Sequence, residues 1–164
     1  MKLLKMLIFF PMALSLITLS LSYINGLGCD YEMQLPAENG VESIAVCRMG
    51  RINVVETDIN TNDQWVINAI NFNIGNQIYM FVTNRYQSND GLPFKVSYLD
   101  RFNKSHDGIV MYHYAWVLVD SNNVILFQKI PKDEIYMAKI NGVIDLWMAI
   151  FGYEYQKNKP VVVN

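Results

Sequence analysis

Ser105, His106 and Asp107 stand in a row and are the residue types of a hydrolase triad. A triad needs nucleophile, base and orienting acid to converge from separate elements, and three consecutive side chains diverge. No G-x-S-x-G elbow exists to present a serine. Ser105 instead completes the single N-x-[ST] sequon, Asn103-Lys104-Ser105, in the polar stretch from Asp100 to Gly108. Asn103 is therefore expected at the surface as a glycosylation acceptor, and His106 as a solvated loop residue. His113 lies in Met111-Tyr112-His113-Tyr114-Ala115-Trp116 and is expected to be half-buried and bonded to a neighbour. With no H-x-H pair and no C-x-x-C, the three or four ligands of a zinc site do not assemble. No catalytic residue is assigned, no cofactor is expected, and a hydrolase ranks third among the functional readings.

Asp58, Asn60, Asn62 and Asp63 form the one candidate cation site, because their spacing imitates the opening of a calcium loop. The imitation stops there: Asp63 stands where the loop requires Gly, and Ala69 where it requires Glu. The alternative is a solvated turn. Nucleotide binding lacks a Gly-rich loop before a helix. Cys29 and Cys47 are the only cysteines, and in an oxidising compartment an even count favours a disulfide that staples the N-terminal segment to the domain.

Aromatics are the remaining chemical resource, with 3 Trp, 10 Tyr and 8 Phe. Trp65, Trp116 and Trp147 fall on candidate strands, where packing claims them. Tyr112, Tyr114 and Trp116 share one face of a strand, and Tyr153 and Tyr155 share a face of another. If those strands pair, an outer aromatic stripe results that would engage a protein or a glycan.

Lys2 and Lys5 precede an apolar run from Met6 to Leu21, and small residues follow at Ser20 and Ser22. This is the pattern of a secretory signal peptide over 1–22, with Gly26 and Gly28 marking later cleavage points up to 28. An uncleaved anchor and a lipoprotein signal acylated at Cys29 are the rivals; either would put the protein on a membrane. Removing Lys2 and Lys5 leaves 11 basic residues against the 15 acidic ones, a net charge near −4. That balance argues against nucleic acid as a partner. With 17% charged and 52% hydrophobic residues the chain must bury a core.

The elements that position these groups read as strands. Apolar residues recur with period two, and turn formers interrupt them every eight to fifteen residues. Ser43–Val46, Ile52–Val55, Trp65–Phe72, Gln77–Thr83, Phe94–Tyr98, Ile109–Val119, Val124–Ile130, Ile135–Ile140 and Val143–Tyr155 are the candidates. Gly75-Asn76 and Asn141-Gly142 mark tight hairpins, and Asn89-Asp90-Gly91 marks a turn in a polar loop. A helix is the alternative for Val143–Phe151, set aside for its β-branched and aromatic content. The expected fold is a single all-β domain over 23–164, an antiparallel β-sandwich of jelly-roll type with about 8–9 strands, and a barrel as the alternative. A G-x-W motif near the first strand is absent, since Trp65 follows Asp63-Gln64, and the cysteines are too close to bridge two sheets around a Trp. No family resemblance follows.

The functional expectation is a secreted, extracellular, non-enzymatic binding protein engaging a protein or glycan partner, as an effector or lectin-like module. The alternative is a β-barrel carrying a small apolar ligand. Met33, Met49, Met80, Met111, Met137 and Met148 are candidates to line its cavity, since methionine adapts to irregular shapes. A cavity of ~300 Å³ or more would separate the two.

Overall fold

Lys2–Leu27 forms helix α1 in the computed structural model, which describes residues 2–38, 40–90 and 98–157. Its apolar window, Phe9–Leu27, is long and apolar enough to cross a membrane, a property that signal sequences and anchors share. Eight strands follow: β1 (Asp30–Glu38), β2 (Val41–Arg48), β3 (Arg51–Asp58), β4 (Asp63–Ile74), β5 (Gln77–Asp90), β6 (Met111–Leu118), β7 (Asn123–Ile130) and β8 (Glu134–Val143). Helix α2 (Tyr98–Ser105) lies between β5 and β6, and α3 (Leu146–Lys157) follows β8.

Each strand pairs antiparallel with the next, and β8 returns to β1 with Met33 opposite Ile140. The sheet is thus a closed up-and-down barrel. Of the two all-β forms expected, the barrel is the one adopted, and closure removes the edges that a sandwich would have had to protect. The period-two pattern supplies its inner face. Along β4, Trp65, Ile67 and Ala69 are buried, while Val66 and Asn68 between them are half-buried and Ile70 is exposed.

The Gly75-Asn76 hairpin forms as expected, with Ile74 opposite Gln77. The second expected hairpin does not. Asn141-Gly142 sits inside β8, opposite Glu32 and Tyr31 of β1. Gly142 is required there by close approach: a Cβ would lie 2.1 Å from the Asp30 carbonyl oxygen, at a φ of +112°. With eight strands closed on themselves, no edge remains for a ninth, and Val143–Tyr155 yields α3 after β8 ends. Asp145 starts that helix by accepting the Met148 backbone N–H at 2.7 Å, an N-cap interaction. The expected strand at Phe94–Tyr98 lies mostly outside the described residues, as does Gly91; Tyr98 itself opens α2.

The two ends of the barrel differ. At the lower end, α1 and α3 meet over β4. Asn25 donates to the Asn73 carbonyl at 3.1 Å and to Asp145 Oδ2 at 3.3 Å, and its Oδ1 accepts from the Trp147 N–H at 3.3 Å. Gly26 lets α1 touch the strand, since a Cβ would stand 2.4 Å from the Asn71 carbonyl oxygen. The Cys29–Cys47 disulfide ties the start of β1 to the end of β2 beside this floor, with Cα atoms 5.7 Å apart. Cys29 thus belongs to the expected staple. The upper end carries α2.

Candidate functional site

Above the floor, the side chains do not fill the barrel. A cavity of about 470 Å³ runs from its middle to the upper rim. Its inner part is apolar: Met33 of β1, Ala45 of β2, Ile52 and Val54 of β3, Ile78 and Met80 of β5, and Leu126 of β7. Tyr31, Tyr112, Tyr114 and Tyr136 project into it from three strands, and Tyr98 and Phe102 of α2, with His106 just after that helix, cover it. Small side chains at Ala45 and Ser43 leave the space that a fully packed eight-stranded barrel would close.

The upper part is polar. Glu56 of β3 continues the inward row begun by Ile52 and Val54, so a carboxyl occupies what is otherwise a core position. It is enclosed by protein, and its half-buried surface opens on the cavity. Asn103 Nδ2 donates to its Oε2 at 2.8 Å. Burial raises the Glu56 pKa above the usual carboxylate range; the Asn103 bond and the Arg85 charge offset this in part. Arg85 stands behind the wall, donating to the Asn103 and His106 carbonyls and to the Tyr112 hydroxyl. Its guanidinium also lies 5.9 Å from the Tyr112 ring centre. Arg85 and Glu56 together fasten α2 across the rim.

Burial likewise raises the Tyr31 and Tyr114 hydroxyl pKa values, which keeps both phenols neutral at physiological pH. Tyr112 and Tyr114 stack with centroids 6.4 Å apart. At the rim, Lys132 Nζ pairs with Glu134 Oε1 at 2.7 Å, and Tyr136 donates to the other oxygen of Glu134.

The residues singled out in the sequence are redistributed by this geometry. Tyr112, Tyr114 and Trp116 face the interior, with Tyr112 8% and Trp116 2% exposed, so the outer aromatic stripe is not formed by them. Tyr153 and Tyr155 fall in α3, and their side chains lie outside the described residues. Asn103 is fully buried and its Nδ2, the atom a glycan would occupy, is bonded to Glu56 and to the Leu99 carbonyl; it is not a surface residue. Of the six methionines, Met33 and Met80 line the cavity, whereas Met49 and Met137 are exposed, Met148 packs in the floor, and Met111 is half-buried at the start of β6 outside the cavity lining.

His113 is half-buried, stacked on Tyr79 at 4.3 Å and bonded to Gln77 at 2.6 Å, as expected. His106 Nδ1 lies 2.8 Å from the Phe102 carbonyl, which can only accept, so this nitrogen carries the proton. It cannot then take a proton from Ser105, whose Oγ lies 3.0 Å away and itself donates to Phe102. Asp58 Oδ1 accepts the N–H groups of Asn60 and Thr61, and Asp63 Oδ2 accepts from the Thr61 hydroxyl. Those carboxylates serve their own turn, with Asn60 and Asn62 exposed beside them. Among the described residues no group of three His, Cys, Asp or Glu side chains is placed to hold a metal ion.

No protein-family model matches the chain, and no curated protein matches it. A barrel of this kind hosts many functions, so the cavity itself must carry the argument. Sequence reasoning missed Glu56 and Arg85. The signal for Glu56 was present in the alternation Ile52-Val54-Glu56, which places an acid on the greasy face of a strand. Arg85 lay beyond Thr83, where the expected strand stopped.

Proposed function

We propose that this protein is an exported, non-enzymatic carrier that binds one small, largely apolar molecule inside its barrel. The observation that carries the reading is the cavity of about 470 Å³, within the ~300–1,000 Å³ range of small-molecule sites. Its make-up has the same character, an apolar interior with a few polar groups gathered at one end. An eight-stranded barrel is also the size at which an interior holds a single small ligand. Export is supported by the N-terminal apolar helix and by the disulfide, which suits an oxidising compartment. A leader removed after Ser22 would keep Asn25 and the floor it completes.

The test is a titration of the mature protein with Nile red, a neutral dye whose emission rises in apolar surroundings. Saturable 1:1 binding is expected, lost in Ala45→Phe, which fills the cavity from β2. Equal binding by the wild type and a folded Ala45→Phe would put the dye elsewhere and contradict the reading.

A further inference from the structure

Besides the tyrosines, four ionisable side chains line the cavity among the described residues: Glu56, His106, Lys132 and Glu134. Lys132 and Glu134 are paired with each other at the rim. His106 is bonded through Nδ1–H to the Phe102 carbonyl. Glu56 is the one acid there with no ion pair within 4.0 Å among the described residues; its one hydrogen bond among them comes from the neutral Asn103 amide, and the Arg85 and His106 charges act on it only from a distance. Arg85 is not part of the lining; its Nη1 and Nη2 donate to two carbonyls and the Tyr112 hydroxyl, and its Nε is buried.

Around Glu56 the cavity offers phenol rings and hydroxyls. Tyr112 and Tyr114 present parallel rings, and Tyr31 and Tyr136 complete the wall. Phenol faces attract cations, more strongly where water is excluded. A buried carboxylate without a counter-ion is costly, and the cost is relieved by a ligand that brings the opposite charge and an N–H donor. An anionic ligand would meet the reverse, a like charge at Glu56, and among the described residues the one lysine of the lining, Lys132, is already paired with Glu134.

We infer that the cavity is built for a small organic cation, an ammonium group on an apolar body, with the ammonium beside Glu56 and the body among Met33, Ile52, Met80 and Leu126. This rests on the carrier reading and specifies its ligand class.

Three probes of equal length separate the two. Decylammonium, decanol and decanoate share one apolar body and differ in head charge. Each is titrated into the mature wild-type protein and into Glu56→Gln at pH 7.5, by calorimetry. Decylammonium is expected to bind at least about tenfold tighter than decanol, and decanoate weaker than decanol. Glu56→Gln should erase the ammonium advantage and leave decanol affinity within about twofold. Decanoate binding more tightly than decylammonium, or an ammonium advantage that survives in Glu56→Gln, overturns the inference while leaving a carrier that binds decanol. Failure of all three to bind overturns the carrier reading itself. Should Glu56→Gln not fold, the wild-type ranking of the three probes decides.

Discussion

Asn103 donates its side-chain N–H to Glu56 across 2.8 Å, joining helix α2 to the acid inside the barrel. The residue that reads in the sequence as a glycan acceptor is therefore a strut that holds the cover of the cavity. Sugar and strut compete for one nitrogen atom.

Protein from a glycosylating, secreting eukaryotic host is accordingly expected to have the same intact mass before and after enzymatic deglycosylation. Conversion of Asn103 to Asp by that treatment would contradict the buried strut. Asn103→Ala, which leaves Glu56 without its donor, should cost about 1–3 kcal/mol of stability by denaturant unfolding.

On the export reading proposed above, the floor bears on where a leader would end. Asn25 satisfies the Asn73 carbonyl, Asp145 and the Trp147 N–H together. A mature chain starting at Tyr23 keeps those bonds; one starting at Leu27 or Cys29 loses them. N-terminal sequencing of the protein recovered from a secreting host is expected to read Tyr23 first. Asn25→Ala should destabilise by about 1–3 kcal/mol, and an unchanged unfolding midpoint would show that the floor does not need it.

Glu56 makes stability depend on pH with a definite sign. Its folded-state pKa is raised above the ordinary 4.5, so the folded protein keeps the proton at pH values where the unfolded chain has lost it. Folding then binds a proton, and this group's contribution falls as pH rises from about 4.5 through the raised value. Glu56→Gln lacks that penalty. Its Tm relative to wild type should be higher at pH 7.5 than at pH 4.5, with the difference vanishing toward the acid end. A constant offset across that range would mean that Glu56 titrates normally.

The sequence made the barrel wall legible, because alternation and turn chemistry are local. Ile74-Gly75-Asn76-Gln77 contains everything its hairpin needs. Asn141-Gly142 carries the same turn chemistry and failed, because what that glycine serves is Asp30, more than a hundred residues away. The direction of Tyr112 and Tyr114 was unreadable for a related reason. Period two says that both share a face, and only closure of β8 on β1 decides that this face is the inside. The cavity is further still from the sequence, since it depends on what Ala45 and Ser43 leave unfilled opposite larger side chains on other strands.

The disulfide closes a loop of 18 positions at the floor. The double variant Cys29→Ser, Cys47→Ser should lose about 3 kcal/mol, seen as a fall of ~10 °C in Tm. Equal Tm values for the variant and the wild type would show that the floor holds without the staple.

Two methionines inside and two outside allow the ligand to be located directly. With the methionine methyl groups carbon-13 labelled, decanol is titrated into the mature protein and the methyl spectrum followed. Met33 and Met80, on the cavity wall, should shift and saturate together, while the exposed Met49 and Met137 stay in place. Saturating shifts at Met49 or Met137, with Met33 and Met80 unmoved, would put binding on the outer surface and contradict a carrier barrel.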